Sequence, residues 1–187
     1  LGDGVPLPIA SELASLPVDV AVEAVDALVH AAVLAPDAAP RFTHPLVRAT
    51  VLDGLSAGRR GWLHARAARV LDAHDADAER IAAHLLHDVA TLDPWGAAVL
   101  ERAARLARAR GAFDAAVTYL AAAVTVPRPP AERARVLADL ALVEARSGSD
   151  SAAARAREAL TMIEEPAERA AAALRLGDGL LEGGHAH

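Results

Sequence analysis

Pro130-Ala131-Glu132-Arg133-Ala134 recurs as Pro166-Ala167-Glu168-Arg169-Ala170, an offset of 36 residues. The same offset carries Leu140 onto Leu176 and Gly148 onto Gly184. Gly111 precedes Ala115-Ala116 as Gly148 precedes Ala152-Ala153, an offset of 37. Each PAERA copy opens on a proline, which suits the first turn of a helix because its missing N–H has no partner to satisfy there. Each unit is thus a pair of helices, too thin to bury its own apolar face, so that neighbouring pairs must stack.

A period of 36 to 37 with two helices per unit is that of tetratricopeptide-like helical repeats. The Trp and Tyr landmarks of that class are mostly missing, which makes this a divergent array. Working back from the repeat, every segment reads as helix. Phe113, Val117 and Leu120 give an inward face to Ala112–Val126. Pro94 starts a helix running to Arg110, and Gly111 ends it. Asp75-Ala76-Asp77 caps a helix over 78–90 with Ile81, Leu85 and Val89 inward. A long helix from about Arg59 to His74 turns Leu63, Ala67, Val70 and Leu71 inward. Residues 59–187 are therefore expected to form the repeat domain, incomplete at its C-terminus.

Upstream, the organising stretch is Arg41–Leu55, RFTHPLVRATVLDGL, an extended segment that turns at Pro45 into a helix. Its expected buried face is Leu46, Val47, Val51 and Leu55. Ala31–Ala35 and Arg41–His44 flank Pro36-Asp37-Ala38-Ala39-Pro40, the pattern of a small hairpin. Before it come a Gly-containing loop (Leu1–Val5), a short helix (Pro6–Leu16; Ile9, Leu13 and Leu16 inward) and a helix opened by Pro17 and Asp19. In the last, Val18, Val22, Val25, Leu28 and Val29 recur every three or four residues. Residues 1–58 are expected to be a winged-helix-like domain with a minor β wing. The fold class is all-α.

Composition excludes much. Hydrophobic residues make up 53% of the 187 but aromatics only 3%, so the core is built from Ala, Leu and Val. All 19 basic residues are Arg, and Lys, Asn, Gln and Cys are absent, a bias of the kind a GC-rich genome leaves. Without Cys there is no disulfide, thiolate metal site or Cys nucleophile, which fits a reducing, cytoplasmic setting. No apolar run reaches the length of a membrane span, and no signal peptide is visible. The chain starts at Leu1 rather than Met and ends in Gly183-Gly184-His185-Ala186-His187, and it is expected to be a piece of a longer protein.

No complete active site is expected. His84 and His87, three apart, share a face that could hold a metal, but no HExxH pattern or third ligand accompanies them, so local packing is the better reading. His185 and His187 carry less weight still. Ser11, Ser56 and Ser147 occupy cap or turn positions, and none lies in a GxSxG elbow. Without lysine, a Walker A loop cannot be built. Residues 1–56 carry seven acids against Arg41 and Arg48, a net of −5, which argues against duplex DNA as a partner. Arg59, Arg60, Arg66 and Arg69 form a basic stretch with no acid between Gly54 and Leu71. It reads first as a solvated helix face, and otherwise as a contact for a phosphate or another domain.

Phe42-Thr43-His44-Pro45-Leu46-Val47-Arg48 resembles the corresponding stretch of large actinobacterial MalT-like, LuxR-type activators of the signal-transducing (STAND) ATPase class. The resemblance extends through Arg59-Arg60, Leu63-His64, Arg66-Ala67 and Leu71, then Ala82-Ala83-His84-Leu85-Leu86. Further on it takes in Ala103-Ala104, Arg110-Gly111, Ala115-Ala116 and Tyr119-Leu120. Leu1-Gly2-Asp3-Gly4 and Leu28-Val29 also fit the lead-in to that family's winged helix. The resemblance implies an ATPase core upstream, working with ATP or ADP and Mg, and a LuxR-type DNA-binding domain downstream. Both would be partners of this regulatory segment. The repeats would bind a small-molecule inducer or a regulatory protein. Related STAND proteins carry a Met-His-Asp motif at the corresponding junction, whose His touches the ADP phosphates in the closed state. His44 occupies that place between Thr43 and Pro45, and Arg48 lies one turn further on. The alternative is a stand-alone helical-repeat adaptor without any nucleotide link.

Overall fold

Helix termini decide most of this architecture, and the sequence places them with proline, Asp and Ser caps. The computed structural model describes residues 5–184, with side chains through Leu181. The expectations for Leu1–Gly4, His185 and His187 lie outside the described residues. Ten α-helices and one 3-10 segment account for the described elements, and no strand is among them. The protein is all-helical.

The chain divides into two units, Leu1–Ala76 and Asp77–His187. The long helix assigned above to the repeats packs within the first unit. In that unit α1 (Leu7–Ala14) follows Pro6, α2 (Val18–His30) follows Pro17, α3 is Pro45–Asp53 and α4 is Ala57–Ala73. α1 packs against both α2 and α4. Its Glu12 ties it to α4: the carboxylate meets His74 at 2.8 Å, and the backbone carbonyl accepts from Arg66 at 2.6 Å. α4 buries Ala67, Val70 and Leu71, as its periodicity predicts, and Ala68 as well, while Leu63 is only half-buried.

Three expectations for this unit need correction. α2 buries only Ala21 and leaves Val18, Val22 and Leu28 exposed. α3 buries nothing, and Leu46 and Val51 stand in solvent. Leu16 is also exposed, because α1 stops at Ala14 and Ser15 turns left-handed at φ 59°. For α2 and α3 the cause is shared: amphipathic periodicity names an apolar face, but little of that face is covered by another described element. Between α2 and α3 the expected hairpin is reduced to one antiparallel bridge, Leu34 to Phe42. The Ala35 N–H donates to the Arg41 carbonyl at 2.8 Å, and the Thr43 N–H to the Val33 carbonyl at 3.1 Å.

The second unit holds α5 (Ala78–Leu85), a 3-10 segment (Leu86–Thr91), α6 (Pro94–Ala109), α7 (Phe113–Val124), α8 (Pro130–Arg146), α9 (Ala152–Thr161) and α10 (Pro166–Gly184). The helix expected over 78–90 ends at Leu85, because Asp88 leaves helical geometry at φ −148°, ψ 76°. Consecutive helices pack as neighbours from α5 to α9, and α10 packs on α8 and α9. Leu100, Leu137, Leu140, Val136 and Ile81 are fully buried among alanines. Ala-on-Ala contact lets backbones approach closely, so few aromatics are needed to fill the space. Gly111 and Gly148 end α6 and the α8 turn at φ 80° and φ 76°, values at which an L side chain is strained. Leu140 and Leu176, related by the 36-residue offset, are both buried.

Candidate functional site

His44 is the N-cap of α3, with extended backbone. Its Nδ1 accepts the Leu46 N–H at 3.1 Å, satisfying one of the donors a helix start leaves without a partner. An Nδ1 that accepts puts the proton of the neutral ring on Nε2. The ring is exposed. His44 is thus a structural cap that retains an outward donor. Arg48 lies one turn along, also exposed, its N–H donating to the His44 carbonyl at 3.3 Å. The sequence paired these two residues, and the helix places them on one face.

Along α4, the Arg59 guanidinium lies 4.5 Å from the Trp62 ring centroid and that of Arg66 5.5 Å from it. Half-exposed Trp62 therefore shares both cations. Arg66 is also committed to the Glu12 carbonyl. The stretch reads as a helix face organised within its own unit. His84 lies on α5 and His87 in the 3-10 segment, so the helix expected to present both is broken between them. No group of three or more metal-ligating side chains occurs among the described residues.

The strongest polar constellation went unnoticed in the sequence. Glu101, on the buried face of α6, accepts Arg128 at 2.7 Å and Arg135 at 2.7 Å. Arg128 also donates to the Ala123 carbonyl at 2.7 Å, which locks the α7–α8 connection onto α6. Burial alone would raise the Glu101 carboxyl, but hydrogen bonds and charge from Arg128 and Arg135 outweigh it, holding it below the usual glutamate value. Asp139, one turn past Arg135 on α8, behaves the other way. Burial pushes it up, and Arg108, Arg135 and Arg105 only partly offset this. The signal for Glu101 was present: it interrupts the Ala97–Leu100–Ala104 stripe, where a charge needs a partner.

Beside this network runs a groove of about 800 Å³ between α8 and α10, floored by Ala134, Ala138, Ala172 and Leu176. A second depression of about 570 Å³ meets it at Leu142 and Arg175. Gly179 makes the two helices converge there, because a Cβ at that position would collide with the Leu142 side chain. These are dimensions typical of ligand pockets. No protein-family model matches the chain, and no curated protein or solved structure is significantly similar to it. Among the described residues, no helix is long and apolar enough to cross a membrane.

Proposed function

We propose that the chain is the regulatory segment of an ATP-dependent, LuxR-type transcriptional activator. In this reading residues 1–58, a winged-helix-like unit, relay the nucleotide state of an ATPase core. The tetratricopeptide-like array beyond them takes up an inducer or a partner protein. The observation that carries the reading is the junction at His44. A bridged turn at Leu34 and Phe42 leads directly into a helix capped by His44, and the cap fixes the tautomer whose Nε2–H faces outward. A donor at a helix N-terminus is suited to phosphate, since the helix dipole adds to its attraction. ADP and Mg would be supplied through the ATPase core, and this chain's own contribution is the His44 donor and the Arg48 charge.

The reading is tested in the gene and in the intact protein. A phosphate-binding loop encoded upstream and a helix-turn-helix downstream support it; absence of both overturns it. In the full-length regulator, His44→Ala is expected to weaken ADP retention and raise basal activity, measured as nucleotide content after purification and as promoter output. Unchanged nucleotide content would remove His44 from the nucleotide's surroundings. The adaptor reading draws on the α8–α10 groove, a binding surface that needs no nucleotide at all.

A further inference from the structure

Two helix faces in the first unit stand uncovered, and they differ in sign. On α2, Val18 and Val22 are 50% and 42% exposed, and the exposed Asp19, Glu23 and Asp26 continue the same side of the helix. No basic side chain pairs with any of these three carboxylates among the described residues. On α4, Arg59, Trp62, Arg66 and Arg69 recur every three or four residues and so form one stripe. Trp62 is 47% exposed and lies between the Arg59 and Arg66 guanidiniums. Arg66 and Arg69 are already engaged, so Arg59 and the neighbouring Arg60 are the cations offered outward. Both helices pack on α1, yet neither face is covered in a single copy. A charged helix face is ordinarily just solvated. Here each face also carries apolar surface, valines on one and an indole on the other, whose removal from water is favourable. The charges flanking those two surfaces are opposite.

We propose that the first unit docks on a second copy of this chain, the acidic α2 face of one copy against the Arg59–Trp62 face of α4 in the next. Val18 and Val22 cover the indole, while Glu23 and Asp26 meet Arg59 and Arg60. The occupant is a second copy because one unit supplies both complements, an acidic valine face and a basic indole face. The two surfaces differ, so each copy brings one face of each sign to the assembly. The apolar centre supplies most of the affinity, and the charges set register and exclude the like-signed pairing. Each face is small, so the contact is weak and depends on concentration. It uses neither the His44 junction nor the repeats. It is tested on the present chain without nucleotide, so failure of the ATPase reading leaves it standing.

The experiment is sedimentation equilibrium of the chain from about 10 to 300 µM, a range that brackets a weak contact. The average mass is expected to rise above that of the monomer as concentration increases. Glu23→Arg with Asp26→Arg makes both faces basic, and Arg59→Glu with Arg60→Glu makes both acidic. Each of these variants alone is expected to associate about tenfold more weakly, or not at all, because like charges now oppose each other. Mixing the two in equal amounts restores association, since each face then meets its opposite, and so does placing all four substitutions in one chain. Rescue in the mixture also shows that both variants are folded. Trp62→Ala leaves the charges in place and weakens association about tenfold. A monomer at every concentration overturns the proposal and leaves the two faces to a different protein. Association that either charge variant leaves unchanged overturns it too, as does a mixture that stays monomeric.

Discussion

The first unit and the second are written in the same alphabet of Ala, Val, Leu and Arg, yet they bury it very differently. In α3 no residue is buried and Leu46 is 70% exposed, whereas α8 buries eight residues and Leu137 is 0% exposed. Hydropathy does not separate the two helices. What separates them is the number of neighbours: α8 lies between α7, α9 and α10, while α3 is flanked by a turn and a short loop. An amphipathic stripe contributes to stability only where another surface removes it from water, by about 25 cal/mol per Å².

The comparison can be broken first at its strongest point. Leu137→Ala should destabilise the second unit by about 3 kcal/mol, through lost transfer energy and a cavity that alanine-lined helices cannot close. Each unit carries one tryptophan, Trp62 in the first and Trp95 in the second, so urea unfolding followed in a Trp62→Phe background reports the second unit alone. A midpoint unmoved by Leu137→Ala would mean that the core is not where the burial places it.

Next comes Glu101→Gln, expected to cost about 2 kcal/mol, since the neutral amide leaves Arg128 buried without its counter-charge. The Glu101 pKa is lowered in the folded state, so its contribution is present above the ordinary glutamate range and lost as pH falls through the lowered value. The gap between wild type and variant should therefore be widest at neutral pH and close on acidification. A gap independent of pH would assign the loss to shape rather than charge. Smallest is Leu46→Ser in α3, expected to stay within about 0.5 kcal/mol because the side chain already stands in water. A loss of 2 kcal/mol or more would show that α3 has a partner on that face.

Much of the second unit was legible in the sequence. Proline starts, Gly111 and the apolar stripes placed α6 and α7 within a few residues, and the repeated PAERA placed the starts of α8 and α10, because caps and periodicity are local properties. The early stop of α5 was not legible, since nothing in LHDVAT announces that Asp88 leaves the helix. The expected faces of α2 and α3 went wrong for another reason, namely that burial is a tertiary property and periodicity reports only its possibility. At the candidate site, His44 and Arg48 were singled out by the resemblance to STAND regulators rather than by any pattern of charge or periodicity. The Glu101–Arg128 pair, 27 residues apart and joined by folding alone, could have been suspected only from the charge interrupting an apolar stripe.

Gly111 and Gly148 adopt nearly the same left-handed backbone, 37 residues apart. The segment between them therefore leaves and re-enters the chain through equivalent joints. Copying or deleting it would splice one such turn onto another and ask for no new loop conformation. The two glycines thus mark seams along which a chain of this kind can gain or lose length in whole units, with point substitutions elsewhere left to tune what each unit holds.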